Sequence, residues 1–309
     1  MGRMKNTLSA VLWVAIAVVP LPAQSTRDIV AWAPKAKTPT AWTGPHKPRH
    51  VYSEMLTRHK GEGNWSELVV DDEHLRSEFI SSAPGTKTPR RLHPDTREWW
   101  VVTQGQIRFT IDGQQPFVAT SGTLVQVPYR TIYSMETLGT QPSIRFETNI
   151  ANATTLYPDE KPPAANGFEF MRVRINGPVT PDYPTNRIHA TYEELAAEAE
   201  KTPRKQATLR FAHDDRGTVN FIYGYAKDLP PVTDADKGHF HAQGAEYWIV
   251  LGGHIQYKIE GLETFVAEPY DVVYVPKSKW HRARWYGDGP STRLAMNGFF
   301  DIGHLFELP

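Results

Sequence analysis

The chain contains no cysteine among its 309 residues. Disulfides, thiolate zinc sites, iron–sulfur clusters and a cysteine nucleophile are therefore excluded. The chain also has no net charge, since 34 Lys and Arg residues balance 34 Asp and Glu residues. Because there is no basic excess to neutralise phosphate groups, a general nucleic-acid-binding protein is excluded as well.

No apolar run is long enough for a comfortable membrane span, which needs about 20 residues. The longest covers residues 8–21, follows the basic residues Arg3 and Lys5, and precedes the small residue Ala23. This order is typical of a secretory signal, here residues 1–23. It predicts a protein exported to the periplasm or the extracellular space, with no stable membrane insertion after cleavage. The alternative is an N-terminal anchor that is not cleaved, or an apolar helix that occurs by chance.

The composition favours a folded, mostly β protein. Hydrophobic residues make up 40% and charged residues 22%, as in ordinary globular proteins. The 22 Gly and 25 Pro exceed what a helical bundle uses, while 9 Trp, 13 Tyr and 13 Phe suit sheets. The length favours two domains.

Short apolar runs separated by turn signals begin at Trp65, and Asp112-Gly113 between two such runs is a strong hairpin signal. A Pro-rich stretch then precedes a helix that Thr191 and Glu194 are placed to cap. The predicted organisation has five segments. They are the signal (1–23), an N-terminal arm (24–50), a first β domain (51–165), a linker with a helix (166–206) and a second β domain (207–309).

The two β domains are copies of one unit. Residues 91–133 and 239–281 align without gaps, and 14 of the 43 positions are identical, where chance predicts roughly three. A repeat of this length indicates a duplicated domain rather than a solenoid, whose periods run about 20–50 residues.

The second copy carries a pattern of metal ligands. His239 and His241 alternate on one strand and share a face, Glu246 follows a short turn, and His281 begins a later strand. Three imidazoles and a carboxylate suit one divalent transition metal, and Fe, Mn, Ni, Zn and Cu all remain open. The alternative is that these are ordinary surface or core histidines.

The chain resembles the cupin superfamily in its two-domain, or bicupin, form, with a distant resemblance to the oxalate-decarboxylase-like members. The first family motif is Gly, five residues, His-x-His, three or four residues, Glu, six residues and Gly. The second is Gly, five residues, Pro-x-Gly, two residues, His, three residues and Asn. The matching residues are His239, His241, Glu246, Gly253, Pro276 and His281. The sequence departs from the motifs at Thr233, Tyr270, Ser278 and Trp285, none of which is a ligand position in the family.

The resemblance implies two tandem cupin barrels of the double-stranded β-helix, or jelly-roll, type joined by a short linker helix. In the first copy the ligand positions hold Arg91, His93, Glu98 and Tyr133. Because Arg cannot deprotonate to bind a cation, this site is degenerate. We expect Arg91 and Glu98 to form a buried ion pair. A metal-free pocket in which Arg91 binds an anion is the alternative.

Strand alternation places Trp248, Tyr257 and Trp285 on the interior face of the second barrel, either as pocket lining or as plain core. The same alternation places His254 and Tyr274 on the outer face, where we expect them to be exposed.

The predicted function is that of a secreted, metal-binding bicupin with one active barrel. The resemblance implies a metal-dependent enzyme, either a dioxygenase-like oxidoreductase or a decarboxylase or lyase, acting on a small oxygenated organic molecule. A non-enzymatic bicupin that binds a small molecule or a metal is the alternative. The sequence assigns no catalytic residue and leaves a homo-oligomer open.

Overall fold

The computed structural model describes residues 29–162, 169–177 and 182–308. The predicted signal, residues 1–23, lies outside these ranges. The chain divides into residues 1–36, whose described part is irregular and mostly exposed, and residues 37–309, which contain all the elements below. Within the described ranges, no helix combines the length and the apolar character that crossing a membrane requires.

The first barrel consists of a six-stranded sheet and a three-stranded sheet. Helix α1 (Tyr52–Arg58) precedes it. The strands of the N-terminal half are β1 (Arg49–His50), β2 (Trp65–Asp71), β3 (Leu75–Ser82), β4 (Glu98–Gln104), β5 (Gln106–Ile111), β6 (Phe117–Thr120), β7 (Leu124–Val127), β8 (Tyr133–Leu138) and β9 (Ser143–Ile150). The large sheet is ordered β10-β7-β4-β9-β3-β2, with β10 (His189–Ala190) arriving from the linker, and the small sheet is β6-β5-β8.

The second barrel repeats this plan after helix α2 (Tyr192–Glu200). Its strands are β11 (Ala207–Asp214), β12 (Gly217–Tyr225), β13 (His239–Phe240), β14 (Glu246–Gly252), β15 (His254–Ile259), β16 (Phe265–Ala267), β17 (Val272–Val275), β18 (His281–Tyr286), β19 (Pro290–Asn297) and β20 (Leu305–Phe306), and a 3-10 turn spans Ala226–Asp228. One sheet is β1-β17-β14-β19-β12-β11 and the other is β16-β15-β18-β13-β20. The predicted fold, two mostly β jelly-roll barrels in tandem, is confirmed.

Local sequence explains many of these elements. Burial alternates strictly along β5 and β15, as expected for strands with one face toward a core. Asp112-Gly113 lies between the paired strands β5 and β6, and Gly113 takes the positive φ that such a turn requires. The linker helix begins where predicted, because Thr191 and Glu194 form a complete capping box.

Each barrel also receives a strand from outside its predicted segment. β1, at the end of the arm, pairs with β17 of the second barrel, and Arg49 lies opposite Val273. β10, in the linker, pairs with β7 of the first barrel, and Ala190 lies opposite Leu124. These exchanged strands join the two barrels through backbone hydrogen bonds.

The outer faces of the two large sheets share one apolar core. Phe79 and Phe146 of the first barrel belong to the same buried cluster as Phe221, Tyr247 and Tyr274 of the second. The expectation that Tyr274 would be exposed is therefore wrong, since only 4% of its surface is accessible. Strand alternation identified its face correctly, but that face is covered by the other barrel. His254 is only partly buried.

Candidate metal centre

The structure brings His239, His241, Glu246 and His281 together inside the second barrel. One potential ligand atom from each lies within 4.8 Å of all the others. His239 on β13 pairs directly with His281 on β18, His241 follows β13, and Glu246 begins β14. Gly238 permits this pairing, because it has φ +79° and a Cβ there would overlap the carbonyl oxygen of His281.

Backbone carbonyl groups orient two of the imidazoles. The Nδ1 atom of His241 donates to the carbonyl of Gly303 at 2.8 Å, and that of His281 donates to the carbonyl of Lys279 at 3.0 Å. In the neutral ring the proton therefore sits on Nδ1, and Nε2 presents a lone pair to the cluster.

These lone pairs fit a cation. The Nε2 atoms of His239 and His281 are buried and have no hydrogen-bond partner among the described residues. The Nε2 atom of His241 lies 2.9 Å from Oε2 of Glu246, and that of His281 lies 3.4 Å from the same oxygen. A nitrogen lone pair and a carboxylate oxygen are both acceptors and repel each other at such distances. A proton or a metal ion between or beside them removes this repulsion. The donor set is therefore suited to a divalent transition metal.

Electrostatics keeps the carboxylate in its ligating form. Burial alone would raise the pKa of Glu246, but the three facing imidazoles hold that pKa well below its usual range. Burial lowers the pKa of His239 and so favours the neutral ring. For His241, burial acts in the same direction, but the adjacent Glu246 outweighs it and raises the pKa.

His304 also belongs to this region, although no motif or spacing in the sequence points to it. Its ring centroid lies 4.6 Å from that of His239 and 4.7 Å from that of His241. The residue is exposed, so it lies at the open side of the cluster. Strand alternation does not predict this position, because His304 follows the loop after Asn297 and reaches the cluster only through the path of that loop.

The first barrel holds an ion-pair network at the equivalent place. Tyr133 donates its hydroxyl to Glu98, His93 Nε2 lies 3.1 Å from the same carboxylate oxygen, and Arg91 Nη2 lies 3.7 Å from it. The Arg91 Nη2 atom also lies 3.5 Å from Glu147. Burial opposes ionisation of Glu98, but the Arg91 charge and the His93 hydrogen bond lower its pKa to about 2. In the first barrel, Arg91 therefore supplies the positive charge that a metal ion would supply in the second barrel.

The three predicted pocket aromatics share the interior of the second barrel. Trp248 and Tyr257 are buried against each other with ring centroids 5.3 Å apart. Trp285 is only partly buried and lines a cleft of about 270 Å³. Among the described residues, nothing hydrogen-bonds to the buried Tyr257 hydroxyl or the buried Trp285 Nε1 atom. The interior thus has unused polar atoms besides the histidines.

Comparisons with known proteins agree with this description. The family model described as the cupin domain matches the chain twice, over residues 79–146 and 227–296. Each match covers most of one barrel. Among curated protein sequences, none matches significantly.

Several solved structures have a similar fold. A cupin 2 conserved barrel domain protein from Leptotrichia buccalis has a TM-score of 0.56 at 11% identity, over 84% of this chain and 100% of that one. The salicylate 1,2-dioxygenase of Pseudaminobacter salicylatoxidans has a TM-score of 0.61 at 14% identity, over 88% and 87%. Oxalate decarboxylase from Bacillus subtilis has a TM-score of 0.50 at 14% identity, over 87% and 82%. At these identities the likeness concerns the fold.

Proposed function

We propose, from the premise that the chain is a two-domain member of the cupin superfamily, that its second barrel is the active site of a metal-dependent enzyme. The substrate would be a small oxygenated organic molecule. The observation that carries this proposal is the convergence of three imidazoles and one carboxylate, with two ring nitrogens left unpartnered among the described residues. Such atoms cost free energy when buried, and a bound metal removes that cost.

His239, His241, Glu246 and His281 would hold the metal. When bound, the metal would supply Lewis-acid or redox chemistry in the second barrel. Fe, Mn, Ni, Zn and Cu all remain compatible with the donor set. The Bacillus subtilis oxalate decarboxylase, which resembles this chain in fold, has Mn(II) centres.

The remaining residues of the barrel prepare the site for a substrate. Trp248 and Tyr257 are buried in one apolar cluster, and the Trp248 ring centroid lies 5.5 Å from that of His281, so they would form an apolar wall beside the metal. The Tyr257 hydroxyl has no partner within the described ranges and can bind a substrate oxygen. His304, at the open side of the cluster, is placed to contact a molecule that enters.

The reaction is expected to be a dioxygenase-like oxidation, or a decarboxylation or lyase reaction. Two proteins of similar fold are named for oxidation of salicylate and decarboxylation of oxalate. Metal-loaded protein should therefore consume oxygen or release carbon dioxide with some member of a panel of phenols and small organic acids. Protein that binds metal but is inert toward the whole panel would favour a non-enzymatic binding protein.

The pattern of residues 1–23 supports export, so we place the activity in the periplasm or outside the cell. N-terminal sequencing of the exported protein should find a mature chain beginning near Gln24. Recovery of intact Met1 in a membrane fraction would contradict export with cleavage.

A further inference from the structure

Arg293 lies in the second barrel with no counter-ion in contact among the described residues. It is on β19, two residues from Ala295, which packs in the barrel interior, so both side chains share that face. Within the described ranges its guanidinium makes neither a hydrogen bond nor an ion pair, and its Nε atom is buried. A buried Nε–H group without an acceptor is costly, and the side chain lines a cleft, so a ligand in that cleft is the expected source of an acceptor.

The first barrel contains the equivalent arginine in paired form. Arg145 pairs with Val102 across the sheet of the first barrel. Arg293 pairs with Val250 in the same way in the second barrel. Each residue of the second pair lies 148 positions after its counterpart, which is the offset between the two copies of the repeat. Arg145 Nε donates to Glu147 Oε2 at 3.1 Å, and Trp100 Nε1 donates to the same oxygen at 2.8 Å.

The position equivalent to Glu147 holds Ala295 in the second barrel. Trp100 lies opposite Glu147, and Trp248 lies opposite Ala295. The second barrel has thus kept the cation and the tryptophan of this arrangement, but it has no carboxylate at the position between them. A ligand with a carboxylate group would therefore supply to the second barrel the acceptor that Glu147 supplies in the first.

Two further donors lie in the same interior. The Trp285 Nε1 atom and the Tyr257 hydroxyl are buried and unpartnered within the described part of the chain, and Trp285 and Arg293 line the same cleft of about 270 Å³. Arg and Trp side chains only donate hydrogen bonds, so they select an acceptor. Burial raises the pKa of Tyr257, which keeps its hydroxyl protonated and able to donate.

We propose that Arg293, Trp285 and Tyr257 form a carboxylate-binding subsite for a small organic acid. The guanidinium would bind the carboxylate through two parallel hydrogen bonds. Tyr257 lies opposite Ala283, two residues from His281 on β18, so the subsite and the metal cluster belong to one barrel interior. The inference rests on the proposed function, whose substrate class it narrows to small organic acids.

Calorimetric titration tests the subsite directly. The probes are acetate and benzoate, with acetamide and benzamide as neutral counterparts of the same shape. Wild-type protein should bind a carboxylate about tenfold more tightly than its amide, because hydrogen bonds to charged groups are stronger than neutral ones. Arg293→Met should remove this preference, and the matched first-barrel variant Arg145→Met should retain it. Equal affinity of the wild type for acids and amides, or no binding of any acid, would overturn the proposal.

A second variant tests the same idea without removing the arginine. Ala295→Glu restores the carboxylate that the first barrel uses, so it should pair with Arg293 and abolish the preference for acids. Retention of that preference in either Arg293→Met or Ala295→Glu would refute the subsite.

Elemental analysis of the same samples separates this proposal from the proposed function. Protein that prefers acids through Arg293 but takes up no transition metal when Fe, Mn, Ni, Zn or Cu is supplied would refute the metal-dependent function and leave the subsite. Metal-loaded protein without the preference would refute the subsite alone.

Discussion

The Nε2 atom of His241 lies 2.9 Å from Oε2 of Glu246, and the Nδ1 atom of the same ring is held by the carbonyl of Gly303. This geometry makes His241 an oriented ligand. Wild-type protein should therefore carry one equivalent of transition metal per chain, and His241→Ala should lose most of it. The matched variant His93→Ala should leave the metal content unchanged, because the first barrel offers Arg91 in place of a ligand. Two tightly bound equivalents by elemental analysis would contradict this expectation.

Removal of the metal should lower the stability of the whole protein. A metal that binds only the folded state stabilises it by about 2.7 kcal/mol at a hundredfold excess over its Kd. If the two barrels unfold as one unit, the melting temperature should fall by roughly 5 °C on chelation. Because the barrels share a core that includes Phe79, Phe146 and Phe221, we expect one transition with and without metal. Calorimetry measures both quantities, and His241→Ala should be insensitive to the chelator.

Gly238 should be required for assembly of the cluster. It adopts φ +79°, and a Cβ would overlap the carbonyl of His281. Gly238→Ala should therefore reduce metal content and lower the melting temperature. Gly287→Ala is the matched control, because Gly287 has φ +89° but a Cβ added to it would meet nothing within 4 Å. It should cost only the backbone strain, about 1 kcal/mol, and retain metal. Equal metal content in the two variants would show that this close approach does not matter.

Glu98 should make the first barrel sensitive to acid. Its pKa is about 2 in the folded protein, below the ordinary value of 4.5. A depressed pKa stabilises the folded state above pH 4.5, and this contribution is lost as the pH falls from 4.5 toward 2. Glu98→Gln should cost about 3 kcal/mol at neutral pH, because it removes the closest buried acceptor for Arg91 and His93.

The same variant should lose less additional stability between pH 4.5 and 2 than the wild type does. Denaturant unfolding over a pH series measures this difference. Exposed Glu263→Gln provides the control and should follow the wild-type curve. A Glu98→Gln curve parallel to that of the wild type would refute the assignment.

Tyr247 should contribute to the contact between the barrels. Its hydroxyl lies 2.7 Å from Ser77 Oγ of the first barrel, and Ser77 in turn contacts Thr148 at 2.8 Å. Tyr247→Phe should destabilise the protein by about 1 kcal/mol, the usual net contribution of one buried hydrogen bond. Exposed Tyr286→Phe should have no measurable effect in the same denaturant titrations. Equal stabilities of the two variants would indicate that the hydroxyl contact is energetically neutral.

The repeat and the strand periodicity predicted two copies of one β-rich domain, because side-chain alternation and turn residues act locally. The jelly-roll form of the two domains followed from the resemblance to the cupin superfamily. The grouping of His239, His241 and Glu246 was also predictable from their spacing, and the resemblance to the cupin motifs implied that His281 joins them from a later strand. Thr191 and Glu194 specified the start of the linker helix by a short-range capping interaction.

Other features depend on how distant segments meet. Alternation placed Tyr274 on an outer face, but only the packing of one barrel on the other buries that face. The pairing of β1 with β17 and of β10 with β7 depends on sheet edges contributed by segments distant in the sequence. His304 joins the cluster through a loop that carries no periodic signal.

The sequence by itself therefore determined the strands and turns of the two barrels and the identity of the ligand set, because alternation along a strand, turn residues and the spacing of residue types are local features. Only the tertiary structure decided what surrounds them. Arg293 is the clearest case. Its identity is visible in the sequence, but the lack of a hydrogen-bond acceptor for its Nε atom among the described residues depends on every side chain that reaches the barrel interior. Burial and partner choice are properties of the whole packed chain, and local periodicity does not encode them.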